Sequence, residues 1–194
     1  MKRLLLAALA TAILPLAAQA GDLSYSYLQA DYGYSHNDNN GGNGHSWNGT
    51  ASAAIGQNFQ LFGGGSVSER DASSNSGQGW NIGGGFHTPI SSQTDFVGTL
   101  DYRHANIDGV SGDVKAYTGA VGVRSGLTPH VEGWVMAGYS DNHNDLGDIS
   151  RDSKGRAFGE LGGQYKFNKN WGLVATGRLS SDDHSFTVGP RFSF

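Results

Sequence analysis

Residues Ser185 to Phe194 read SFTVGPRFSF. Phe186, Val188, Pro190, Phe192 and Phe194 fall at every second position, with Ser185, Thr187, Gly189, Arg191 and Ser193 between them. Successive side chains of a strand point to opposite faces, so this period of two separates an apolar face from a polar one. The apolar face carries three phenylalanines and ends on one of them. The stretch predicts a strand set between an apolar medium and a polar one, and such a strand needs partners of the same kind.

The same period recurs upstream. Alternation, turn residues and length predict strands at 23–34, 47–55, 59–68, 78–87, 95–106, 114–124, 130–140, 154–167 and 171–180, with 185–194 closing the series. Most are about ten residues long, the length a tilted strand needs to cross a bilayer. Even-numbered strands end in tight turns: Gly56 to Asn58, Thr88 to Thr94, Ser125 to Pro129 and Asn168 to Asn170. Odd-numbered strands end in polar loops, the longest being Ser35 to Ser46 and Asp141 to Ser153. Short turns on one side and long loops on the other predict an all-β fold, a transmembrane antiparallel up-and-down β-barrel with the short side periplasmic. Ten strands are expected, with about eight as the alternative.

Composition narrows the class. Glycine supplies 31 of 194 residues, proline 4 and cysteine none. The glycines show no three-residue period, which excludes a collagen-like chain. Residues 1–20 read as a cleavable leader, with Lys2 and Arg3, an apolar run from Leu4 to Leu16, and Ala18-Gln19-Ala20 before Gly21. That run is too short for a spanning helix. The expected organisation is a leader over 1–20 and a barrel over 21–194. Without Lys2 and Arg3 the basic residues fall from 13 to 11 against 17 acidic ones, a net charge of −6 that argues against nucleic acid as a partner.

Side-chain alternation gives the wall two faces. The fifth strand directs Phe96, Gly98, Leu100 and Tyr102 outward and Val97, Thr99, Asp101 and Arg103 inward. Outward aromatics collect at strand ends. Tyr32, Tyr34, Trp47, Trp80, Tyr102, Tyr117 and Tyr139 fall at the loop end. Tyr25, Phe59, Phe86, Phe96, Phe167, Trp171, Phe192 and Phe194 fall at the turn end. Two aromatic girdles around a band of small and aliphatic residues match the two interfaces of a bilayer, and a soluble β-sandwich has no reason to sort its aromatics this way. Reflecting the strands about their turns sets Arg124 opposite Glu132 and Glu160 opposite Arg178, two lumenal charge pairs. Pro190 cannot donate to a ladder, so a bulge is expected there, or a position near the periplasmic rim.

Motifs for chemistry are sparse. His36, His45, His143 and His184 lie among Asn and Asp without the spacing of a metal site. Asp141 to Asp152 lacks the order of a calcium loop, with Leu146 where the glycine belongs. Asp182-Asp183-His184 has the residue types of an outer-membrane protease but sits in one short predicted turn. Gly79 to Gly85 lacks the following helix of a phosphate loop. The glycine triplets Gly63–Gly65 and Gly83–Gly85 read as a place where the wall curves. No catalytic residue, metal ligand or cofactor is assigned, and the chain is expected not to be an enzyme.

Two stretches carry a resemblance. Ser185 to Phe194 resembles the closing strand of Gram-negative outer-membrane barrels, which implies that Phe194 is a signal read by the barrel-assembly machinery. Gly21 to Tyr34, GDLSYSYLQADYGY, resembles the mature start of a family of small xanthomonad outer-membrane proteins once discussed as an activator of plant immunity. That likeness implies the fold and the outer-membrane location, and no activity. The expected role is structural or through extracellular loops, with a largely plugged lumen, outer-membrane lipid around it, a monomeric state and an unidentified extracellular partner. The alternatives are a small porin and an outer-membrane protease or lipid-modifying enzyme. The mature protein is expected to begin at Gly21; an intact mass of membrane-extracted protein that starts at Met1 would remove the leader from this account.

Overall fold

Alternating β-favouring runs separated by turn residues bury one face only by closing on themselves, because a membrane leaves no water to satisfy an open sheet edge. In the computed structural model, which describes residues 23–37, 42–70, 73–107, 113–144, 155–181 and 183–194, the strands do this. They are β1 (Tyr27–Asn37), β2 (Gly42–Ile55), β3 (Phe59–Arg70), β4 (Ser73–Pro89), β5 (Thr94–Ile107), β6 (Asp113–Thr128), β7 (Val131–Asn144), β8 (Arg156–Lys166), β9 (Trp171–Ser180) and β10 (Asp183–Ser193). Each pairs antiparallel with its chain neighbours, and β10 returns to β1 to close the barrel. The ten-strand prediction holds. The leader, residues 1–20, lies outside the described residues.

Several strands are longer than predicted. β1 and β2 stay paired up to Asn37 opposite Gly42, so Ser35 to Asn37 and Gly42 to Ser46 of the expected loop are ladder. β7 runs on to Asn144, and β4 spans 17 residues. Only about ten residues are needed to cross the bilayer, so the remainder stands above it. There both faces meet water, and the apolar alternation that marks a strand in sequence is lost while the backbone ladder continues. β6 likewise runs on to Thr128, with a register shift between Gly126 and Thr128. The turn is therefore centred one residue later than predicted. Arg124 faces Trp134 rather than Glu132, and Glu132 faces Gly126.

The turns are built by side chains. Asn168 Oδ1 accepts from the backbone N–H of Asn170 and Trp171, both at 2.9 Å, and Thr128 Oγ1 accepts from that of Val131 at 3.0 Å. Gly56, with φ of 66°, supplies the left-handed residue between β2 and β3.

Aromatic girdles ring both ends of the outer wall. At the loop end Tyr32 packs on Trp47 at 5.2 Å and Tyr102 on Tyr117 at 5.2 Å. At the turn end Phe59 packs on Phe86 at 5.4 Å and Trp171 on Phe192 at 5.1 Å. Leu61, Ile82, Leu100, Val121, Val135 and Leu161 are exposed between them, as a lipid-facing band requires. Tyr25 is the exception to the predicted girdle. It is fully buried and points into the barrel. β1 starts at Tyr27, and residues 23–26 bend across the turn end instead of joining the wall.

Pro190 produces no bulge. The β1–β10 ladder is interrupted where Ala30 and Asp31 face Gly189 and Pro190, then resumes in the same register. Gly189 accounts for the fit, since a Cβ there would lie 1.8 Å from the Ala30 carbonyl oxygen. Gly189→Ala is expected to destabilise the barrel by about 1–3 kcal/mol through overpacking at the seam. Gly84→Ala, whose nearest neighbour would be 3.6 Å away, should change stability by less than about 0.5 kcal/mol. Urea unfolding read by the heat-modifiable gel shift separates the two; equal effects would refute the seam argument.

Candidate functional site: the barrel lumen

The inward parity of the strands lines the lumen with two kinds of residue. Large apolar side chains form a layer in which Val97, Ala120, Trp134, Met136, Phe158 and Val174 pack together with Leu23 and Tyr25. Glycines make room for them. Trp134 lies on Gly162, its partner on β8, where a Cβ would sit 2.2 Å from the indole. Phe158 lies on Gly138 in the same way, and Met136 on Gly122. The triplet Gly83–Gly85 belongs to this scheme, since Gly83 receives Phe62 and Gly85 receives Gln60.

Charges sit on both sides of this layer. Toward the turn end Arg124 forms an ion pair with Glu132, and Lys166 takes the other oxygen of the same carboxylate. Arg124 and Glu132 are both 1% exposed. Their contact runs diagonally across the bulged β6–β7 hairpin, two residues from the direct pairing expected. Arg191 donates through Nε to Gln29 Oε1 at 2.6 Å and through Nη1 to Gln164 Oε1 at 3.3 Å. Its guanidinium also covers the Tyr27 ring at 4.2 Å. Gln29 in turn donates to Asp31 at 2.8 Å. Ions this deep need such partners, because an unpaired buried charge costs several kcal/mol.

Toward the loop end Arg103 Nε donates to Asp101 Oδ2 at 2.5 Å. Glu160 and Arg178 are direct cross-strand partners, as predicted from the turn. Their side chains nevertheless engage other groups. Glu160 Oε1 accepts from Trp134 Nε1 at 3.2 Å, while the Arg178 guanidinium lies over the Phe158 ring, 3.2 Å from its centroid. Glu160 Oε2 and Arg178 Nη1 have no hydrogen-bond partner.

The turn end has a feature that sequence reasoning missed. The Tyr25 ring stacks on His87 at 3.6 Å with 14° between the planes, and its hydroxyl donates to Asp95 Oδ2 at 2.9 Å. Ser52 Oγ donates to the Tyr25 carbonyl at 2.9 Å, and Phe194 N–H to the Ser26 carbonyl at 3.1 Å. Leu23 to Ser26 are thus tied to β2, β4, β5 and the residue after β10, across the mouth. Parity held the signal, since the period that turns Tyr32 and Tyr34 outward turns Tyr25 inward.

Other candidate motifs separate in space. Asp183 is buried inside the lumen while the adjacent His184 is exposed on the outer face of β10, so they do not form a catalytic pair, and Asp182 lies outside the described residues. His36, His45 and His184 stand on strands rather than in loops. No group of three His, Asp or Glu side chains suited to a metal is present among the described residues. The calcium-loop candidate falls largely on residues 145–154, outside the described set.

No protein family and no curated protein matches the sequence. Solved structures do match. The beta domain of the Bordetella autotransporter BrkA is 12% identical, with 87% of this chain and 98% of that chain covered and a TM-score of 0.53. A bacterial polysaccharide outer-membrane secretin gives 10%, 87%, 65% and 0.52. The KdgM porin gives 15%, 86%, 99% and 0.42. The chain has the outer-membrane β-barrel fold. Nothing in these likenesses points to the xanthomonad family.

Glu132 holds two cations, so Glu132→Gln should lower stability by about 3–5 kcal/mol. Combined with Arg124→Gln the losses should fall well short of additive in a double-mutant cycle. Strict additivity would show that the two side chains do not interact.

Proposed function

We propose that the protein is an occluded outer-membrane barrel that acts at the cell surface through its loop end, not as an open pore. The observation that carries this reading is the position of Trp134. It is 2% exposed and spans the lumenal side of Gly162, bonded to Glu160. Arg124 and Arg191 flank its ring at 5.7 and 5.8 Å. Ten strands lie near the small end of the barrel series, where side chains fill the interior. Leu23 and Tyr25 add a second obstruction at the turn end.

Short turns place that end in the periplasm and the long hairpins outside the cell. Phe194 is exposed at the periplasmic end, a position from which the assembly machinery would read it. Lipid surrounds the wall, the barrel is monomeric, and its role is non-enzymatic. The loop partner is a surface component outside the cell.

Refolded protein in a planar bilayer is expected to show no steady single-channel conductance. Trp134→Ala combined with Tyr25→Ala should open a measurable one. Steady conductance from the unaltered barrel would overturn this reading in favour of the small porin.

A further inference from the structure

Above the apolar layer the lumen ends in a small cup between β7 and β10, open to solvent. Phe158 forms its floor. Arg156 and Arg178 line it with Ser180, Ser185 and Asp183. We propose that this cup is a binding site for a small oxyanion, a carboxylate or phosphate group carried by a solute or surface molecule outside the cell.

Two observations support this assignment. First, Arg178 is 4% exposed, yet its Nη1 has no hydrogen-bond partner. A buried donor left unmade is costly, and buried groups are normally paired. Second, the guanidinium is already seated: its carbon lies 3.2 Å from the centroid of the Phe158 ring, and Phe158 is itself seated on Gly138. A planar fork held in one orientation suits the two oxygens of a carboxylate or phosphate. The hydroxyls of Ser180 and Ser185 line the same cup and can donate further bonds.

The internal competitor is Glu160, the cross-strand partner of Arg178. Its Oε1 is committed to Trp134, while its Oε2 is also without a partner. A direct Glu160–Arg178 bond would satisfy both atoms and leave the cup without its anchor. The site and this internal pair are therefore rival fates of one guanidinium. The assignment does not depend on whether the lumen conducts, since the cup lies wholly on the loop side of Trp134.

The test uses the full barrel refolded in detergent micelles, with arginine side chains labelled with 15N. Acetate and inorganic phosphate are titrated separately at pH 7 and constant ionic strength. The acetate arm reports a planar carboxylate and the phosphate arm a tetrahedral group. A saturable shift of the Arg178 signal is expected in at least one arm. It should be lost in Arg178→Gln, weakened about ten-fold in Arg156→Gln, and strengthened in Asp183→Asn, which removes a carboxylate from the lining. Asp183→Asn also keeps the test valid if Arg178→Gln fails to fold. A linear, non-saturating shift in both arms would overturn the proposal. So would saturation that appears only after Glu160→Gln, because Arg178 would then belong to Glu160.

Discussion

The structure depends on the seam between β1 and β10. Inside a bilayer an unpaired backbone N–H or C=O costs several kcal/mol, so ten strands are stable there only as a closed ring. The seam includes a strand residue that cannot donate, Pro190, and the ladder lapses beside it without losing register. Gly189 lets the β1 backbone come close at that point. The chain thus tolerates a missing donor by bringing the backbones together, where a bulge would have turned every following side chain to the wrong face.

Closure creates a second constraint, the narrow lumen. Side chains as large as Trp134 and Phe158 cannot stand straight across it, and they lie against the wall on glycines of the neighbouring strand. The high glycine content is therefore partly a packing requirement. Each inward glycine beneath a ring exchanges its own side chain for the ring of its neighbour. The charges follow from the same geometry. Water is scarce around the apolar layer, so Arg124, Glu132 and Lys166 satisfy one another, and Arg191 reaches Gln29 and Gln164.

These two constraints bear on function in opposite ways. The wall is that of a membrane barrel, a fold that serves pores, secretion domains and enzymes alike. The interior holds an apolar layer, with the Leu23 to Ser26 segment across the turn end. On the loop side the strand hairpins continue past the membrane, and Arg178 sits above the layer.

The sequence by itself determined the strand count, the two faces of the wall, the two girdles and the inward orientation of the four charges Arg124, Glu132, Glu160 and Arg178. All of these follow from a local period of two and from turn residues, which need no knowledge of distant partners. It also carried the parity that turns Tyr25 inward, although an aromatic near a strand end looked like a girdle residue. Only the tertiary structure decided what those side chains touch. The bulge before Thr128 moved Arg124 opposite Trp134, and long side chains then met diagonally. Glu160 and Arg178 share a register position but turn to Trp134 and Phe158, because aromatic rings from adjacent strands reach them first. The extent of the hairpins above the membrane was likewise hidden, since backbone pairing in water leaves no apolar alternation for a sequence to record.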